Sequence, residues 1–341
     1  MSELVGRRIG PYELTDVIRR RRTSTAYRSV VDGRPLAVTV LPQETDPSRL
    51  AALIGEARAV ARLRHPHIVP LVDAGADQGR VYVVEEYAGE RATLADRAPG
   101  PGDPVEVVGL VSPLLAALAH AHEHGVVHRD LGPRHIVLPS PMWPLLADFA
   151  IGRDLPVGPG GARPVVGDPA YLAPEQAFGL PAGPPADLYA VVVVLYELLT
   201  GTVPFHAATP DAVLRSQAYE PPPPPRAVRA DLSRELEGVL LRGLAKNPEH
   251  RHASALELAD ELWSATSTSA VTHDAEIPAS PPVAVAESEP LADLYAAGVR
   301  AFAEQRLDEA RDLLGQVADA DPTYEDVLDL LEAATADRDG G

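Results

Sequence analysis

The period of the hydrophobic pattern changes once along this chain, and that change restricts the fold more than any other feature. Residues 12–41 alternate as strands do, through Tyr12-Glu13-Leu14, then residues 26–31, then residues 36–41. The Asp32-Gly33 pair between the last two runs suits a two-residue hairpin turn. Residues 48–63 carry Leu50, Leu53, Ile54, Ala57, Val60 and Ala61 at helical spacing, until His65-Pro66-His67 stops the helix. Two more strands are predicted over 68–73 and 80–86, joined by a glycine-containing turn. From Pro104 onward the period is helical, over 104–124, 187–200, 211–217, 233–245 and 253–264. A small strand-rich part followed by a larger helical part predicts an α+β chain with two lobes.

Composition narrows the function classes. The formal net charge is −19, which argues against a general nucleic-acid or anionic-membrane binder. The absence of cysteine excludes disulfides and thiolate metal sites. The first residues lack an apolar core of signal-peptide length. The most apolar run, residues 190–199, is too short to span a bilayer and reads as a buried helix. A cytoplasmic protein with no integral membrane segment is therefore expected. Lysine occurs once, at Lys246, while arginine is abundant, as a GC-rich genome favours.

Two aspartates mark the junction of the helical part with its loops. One lies in His128-Arg129-Asp130-Leu131-Gly132-Pro133-Arg134-His135, the other in Asp148-Phe149-Ala150. These segments resemble the catalytic loop and the metal-binding turn of bacterial eukaryotic-like serine/threonine protein kinases. Further motifs follow in that family's order over roughly residues 12–263: Glu56 on the first helix, Ala173-Pro174-Glu175, Asp187-Leu188-Tyr189-Ala190, and Leu244-Ala245-Lys246-Asn247-Pro248 with Arg251. The resemblance implies a bilobal protein-kinase-like fold over 12–264, with the smaller lobe over 12–86 and the larger over 87–264. It also implies structural roles for three residues. Glu175 would pair with Arg251, Asp187 would cap the catalytic-loop backbone, and His128 would pack in the core.

The parts that handle nucleotide in that family are altered here. Phosphoryl transfer works by position and charge, so loss of a charge matters. Where the family has a glycine-rich loop, this chain has Ile18-Arg19-Arg20-Arg21-Arg22-Thr23-Ser24, and bulky side chains oppose close approach of backbone to phosphate. These arginines grip an anion or form a solvated basic tip. The strand motif that ends in lysine in the family reads Leu36-Ala37-Val38-Thr39, so the phosphate-binding cation is missing. A preference for arginine over lysine does not explain a threonine. Glu56 thereby loses its family partner, and an arginine among residues 19–22 is expected to reach Glu56 or Asp148.

The catalytic loop keeps Asp130, matching the general base, and Arg129. Gly132 replaces a lysine, and His135 replaces the asparagine that holds a second magnesium ion. His135 with Asp148 would suit a softer ion better than magnesium. Asp168 stands where the family resembled has a threonine that bonds the catalytic aspartate; it would bring a like charge towards Asp130, so either one pKa rises or the loop sits elsewhere. Residues 150–174 contain no serine or threonine, so the usual activating phosphorylation has no acceptor. Asp154 or Asp168 would mimic it, or stand as solvated loop acids.

Residues 265–290 are rich in Ser, Thr, Pro and Ala without periodicity and read as a disordered linker. Residues 291–336 hold three short amphipathic helices. Gly298, Ala301, Phe302, Ala310 and Pro322 stand at the offsets of one tetratricopeptide repeat. From His273 on there are about 17 carboxylates against 4 arginines.

Two functions are weighed. The first is a pseudokinase, a signalling or scaffold module with little or no phosphotransfer and no cofactor, which contacts signalling proteins through its larger lobe or tail helices. The second is an active serine/threonine kinase that uses ATP and Mg²⁺ with Asp130 and Asp148, an arginine replacing the lysine. The candidate site is Asp130, Arg129 and Glu56 for catalysis; Ala37, Arg19, Arg21, Arg22 and Glu86 for a degenerate nucleotide cleft; Asp148 and His135 for metal.

Overall fold

The computed structural model describes residues 4–20, 24–87, 92–97, 100–149, 151, 167–269 and 306–320, with single positions between and beyond them in the C-terminal tail. Arg21, Arg22, Ala150, Asp154, Phe302 and Pro322 lie outside the described residues.

Five antiparallel strands make the small lobe. They are β3 (Asp16–Arg20), β4 (Thr25–Val31), β5 (Arg34–Val40), β6 (Leu71–Asp77) and β7 (Arg80–Glu86), in the order β3-β4-β5-β7-β6. A short hairpin, β1 (Arg8–Ile9) with β2 (Tyr12–Glu13), precedes them. Asp32 and Gly33 both adopt positive φ, 49° and 77°, as a two-residue hairpin requires. Gln78-Gly79 does the same between β6 and β7, with φ of 47° and 74°. One sheet face closes over Leu14, Tyr27, Leu36, Val38, Tyr82 and Val84. Helix α1 (Pro47–Val60) covers the other face with Leu53 and Ala57 against Val81.

The large lobe is helical: α2 (Pro104–Glu123), α3 (Pro174–Ala177), α4 (Pro184–Thr200), α5 (Pro210–Tyr219), α6 (Pro225–Val228), α7 (Arg234–Gly243) and α8 (Ala255–Ser269). Three helix starts, one in the small lobe and two in the large, follow one local rule. An oxygen-bearing side chain caps the helix and proline takes the first turn, where its missing N–H costs nothing. Asp46 caps α1, Asp103 caps α2 and Thr209 caps α5, each directly before a proline. Gly201 ends α4 at φ 80°, the left-handed cap that favours glycine.

Helices α2 and α4 form the centre of the core, with Leu114, Leu115, Leu118, Leu188, Tyr189 and Leu195 essentially fully buried. Gly243 of α7 lets that helix close on α4, since a Cβ there would fall 2.5 Å from Val192. Among the described residues α2 is the one helix long and apolar enough to cross a membrane, and here it lies in this core.

Two features depart from the expectations. Helix α8 runs on to Ser269, so residues 265–269 belong to the helix and not to the linker. Ala265 and Thr266 are buried there, and the hydroxyls of Thr266 and Ser267 bond carbonyls four residues back, which satisfies side chains that look loop-like in sequence. The loops between α2 and α3 also contain a hairpin that the alternation did not predict, β8 (Ile136–Ser140) with β9 (Trp143–Leu146). In the tail, helix α9 (Leu307–Ala320) is described, with helical positions on either side of it.

Candidate functional site

The catalytic-loop segment is held by buried side chains. Asp187, at the start of α4 and 1% exposed, accepts hydrogen bonds from the backbone N–H groups of His128 and Arg129, both at 2.8 Å. It also faces His122 Nε2 at 2.8 Å. These bonds, and one from Gln176 Nε2 to the Arg129 carbonyl at 2.9 Å, hold Arg129 in the left-handed region at φ 64°.

His128 is fully buried. Its Nε2–H donates to the Ala147 carbonyl at 2.9 Å, and its Nδ1 accepts from the Asp130 N–H at 3.3 Å. Both bonds suit one neutral tautomer, and burial pushes the imidazole pKa down. His128 thus ties the loop of Asp130 to the strand end before Asp148. Phe149 packs on the same ring, with centroids 4.6 Å apart. Arg251 pairs with Glu175 through two bonds of 2.8 Å, which fixes α3 to the end of the large lobe.

The structure sorts the candidate residues into three groups. Asp130, Asp148, Arg129, Glu56, Arg19 and His135 are linked directly. Arg129 Nη1 meets Glu56 Oε1 at 3.2 Å, and Arg19 Nη2 meets Asp148 Oδ2 at 3.7 Å. His135 Nδ1–H donates to the Asp130 carbonyl and lies 3.5 Å from Oδ2 of the same residue. Ala37 and Glu86 line a cleft of about 550 Å³ between the lobes, together with Val17, Arg19, Val137 and Asp148. Arg21 and Arg22 form the third group, outside the described residues.

Other residues of this cleft were not singled out in sequence. Glu85 sits opposite Ala37 on the neighbouring strand, and Arg28, Tyr87, Asp96 and Arg134 share the lining. Arg28 lies over the Tyr87 ring, 4.8 Å from its centroid. The adjacent acids Glu85-Glu86 break the alternation of β7 and were the available signal for Glu85.

A second cavity, of about 700 Å³, opens beneath the catalytic loop beside Asp130, Gly132, His135, Asp168, Tyr171 and Glu197. Tyr171 donates its hydroxyl to Glu197 at 2.6 Å, and burial with this bond pushes its pKa up. A Cβ on Gly132 would lie 3.4 Å from the Tyr171 ring, so this ring lies against the position that carries lysine in the family resembled. Asp168 is exposed and turned to its own loop, where it accepts from Ala170 N at 3.1 Å. Of the two alternatives, the turn at residues 168–171 favours a loop that satisfies Asp168 locally.

The acids that would face a magnesium triphosphate have partners within the chain. Asp148 faces a guanidinium. His135 bonds the Asp130 carbonyl and lies beside its carboxylate. Thr39, between Ala26 and Val83 in the sheet, carries no charge. Among the described residues no group of three or more His, Cys, Asp or Glu side chains could hold a metal ion.

Comparison with known proteins gives a consistent assignment. Residues 20–264 match the family model of the protein kinase domain. The chain is 34% identical over 263 residues to the serine/threonine-protein kinase PknB of Mycobacterium leprae, covering 74% of this chain and 42% of that protein. It is 36% identical over 241 residues to PknB of Mycolicibacterium smegmatis, covering 67% and 38%. Against the serine/threonine-protein kinase Pkn1 of Myxococcus xanthus the identity is 37% over 262 residues, covering 74% and 38%. The match therefore spans about two fifths of the length of these relatives. A strand-rich lobe over a helical lobe, both aspartates in place and a family match over most of the chain lead to one conclusion: the chain belongs to the protein kinase domain family.

Proposed function

We propose that this chain is a pseudokinase, a cytoplasmic signalling or scaffold module that acts through protein contacts with little or no phosphotransfer. One observation carries the reading. Glu56 and Asp148, the acids that would serve the phosphate lysine and the metal, each face an arginine of the chain itself. Arg129 comes from the catalytic loop and Arg19 from the strand that would cover the phosphates. With Thr39 neutral, the cleft offers a triphosphate no charged group from β5, and each missing charge contact removes several kcal/mol of transition-state stabilisation. Function then resides in surfaces of the large lobe and the tail helices.

A second reading keeps an ATP-dependent serine/threonine kinase. It rests on Arg19, whose guanidinium stands in the cleft beside Asp148 and could take over the role of the lysine. Calorimetry with ATP, with and without Mg²⁺, separates the two. The pseudokinase reading expects no Mg²⁺-dependent heat at millimolar ATP. Mg²⁺-dependent binding that disappears in Asp148→Ala favours the second.

A further inference from the structure

The C-terminal helices bury Ala301, Ala310, Leu314, Val317 and Val327 completely in a small cluster of their own. Gly298 allows the close approach this needs, since a Cβ there would fall 2.8 Å from the Leu314 side chain. Leu294, Leu313, Ala318 and Leu331 of the tail pack around this cluster, and so does one side chain from far away in sequence: Trp143, the first residue of β9.

Trp143 is a firm seat. Its ring stacks on His67, with centroids 4.6 Å apart. His67 is 1% exposed, and its Nδ1–H donates to the Pro144 carbonyl at 2.7 Å. Strand β9 pairs with β8 on one edge and with residues 67–69 on the other, where Leu146 N–H donates to the His67 carbonyl and Val69 N–H to the Leu146 carbonyl, each at 2.8 Å. The indole is thus fixed from behind and offers its other side to the tail.

The tail core is small. Two alanines, two valines and one leucine are fully buried, with Leu294, Leu313, Ala318 and Leu331 partly buried around them, too small an apolar core to offset the ordering of the helices that carry it. A single helical-repeat unit has the same difficulty, because such units stand only when stacked on neighbours. An indole docked on the cluster adds the largest apolar side chain available. About 24 residues of sequence, 270–293, separate the two parts, a separation short enough for an effective concentration in the mM range.

We propose that the C-terminal helical segment folds on the kinase-like domain, with Trp143 completing its core, and that a protein which recruits the segment must lift it from this seat. The consequence reaches the cleft. Hairpin β8–β9 starts directly after His135 and ends two residues before Asp148, so the seat lies on the element that these two residues flank. The proposal holds whether or not the cleft transfers phosphate.

Hydrogen exchange read by mass spectrometry on the full chain tests it. Amides of residues 307–320 are expected to be protected in the unaltered chain, to exchange at least about tenfold faster in Trp143→Ala, and to recover most protection in Trp143→Phe. Leu314→Glu covers the case in which Trp143→Ala perturbs the domain. It alters only the tail, and should speed exchange in residues 136–146 while α2 keeps its protection. Three results overturn the proposal: no protection of 307–320 in the unaltered chain, unchanged protection in Trp143→Ala, or loss of tail protection in Leu314→Glu with the hairpin unaffected.

Discussion

Arg129 and Glu56 stand 73 positions apart in sequence and meet at 3.2 Å, the catalytic loop reaching up to the helix of the small lobe. This pair occupies the acid that a lysine at position 39 would need. Arg19 engages Asp148 in the same cleft. The two contacts are partly exposed and individually weak. What matters is where they put positive charge.

Restoring the missing lysine alone should therefore restore little. Thr39→Lys is expected to change ATP affinity less than about threefold, under about 0.7 kcal/mol, because Glu56 and Asp148 are already engaged. Adding Arg19→Gly should release Asp148 and give a larger gain. Calorimetric titration of both variants checks this; a gain above about tenfold from Thr39→Lys alone contradicts it.

The Glu175–Arg251 pair should dominate the stability of the large lobe. Arg251 is 3% exposed and Glu175 8%. Removing one partner of a buried ion pair leaves the other charge uncompensated, at about 3–5 kcal/mol. Arg251→Ala should shift the urea midpoint down accordingly, whereas Arg229→Ala, which breaks a pair with the exposed Asp231, should cost far less from that pair itself.

Acid should destabilise the fold through buried imidazoles. Burial pushes His67 down to about 4 and His65 down to about 3, and it lowers His128 as well. The unfolded values lie near about 6.5, so between the two the unfolded chain binds more protons. The stability these groups supply is full above about pH 6.5 and is lost as pH falls towards 4. Each contributes a slope of up to about 1.4 kcal/mol per pH unit within its window. Denaturation midpoints between pH 7.5 and 5 should show the fall, and His67→Gln should flatten it while lowering the baseline.

Much of the fold was legible because its local signals agree. Asp32-Gly33 forces a hairpin, and the runs of apolar residues give α2 and α4 wherever their caps fall. Residues 136–146 resisted reading because Pro139, Pro141 and Pro144 argue against a strand, and a two-stranded hairpin tolerates them at its edges. The helical end at 265–269 was hidden by Ser and Thr, whose hydroxyls turn back on the helix.

The candidate site divides in the same way. Asp130, Asp148 and Glu56 could be placed from motif order. Their present partners could be guessed only in part, since pairing across 73 positions is made by the packing of two lobes and leaves no local trace. Arg19 on Asp148 is one of the contacts expected of the arginine loop, and Arg129 on Glu56 is one the sequence did not suggest.

In the proposed pseudokinase the cleft no longer transfers phosphate. Transfer of labelled γ-phosphate from MgATP, to the chain itself and to a generic basic protein substrate, tests it most directly when Asp130→Ala is run beside it. The account predicts equal, background incorporation in both proteins. Incorporation that depends on Asp130 would contradict it and establish a kinase that works with an arginine in place of its lysine.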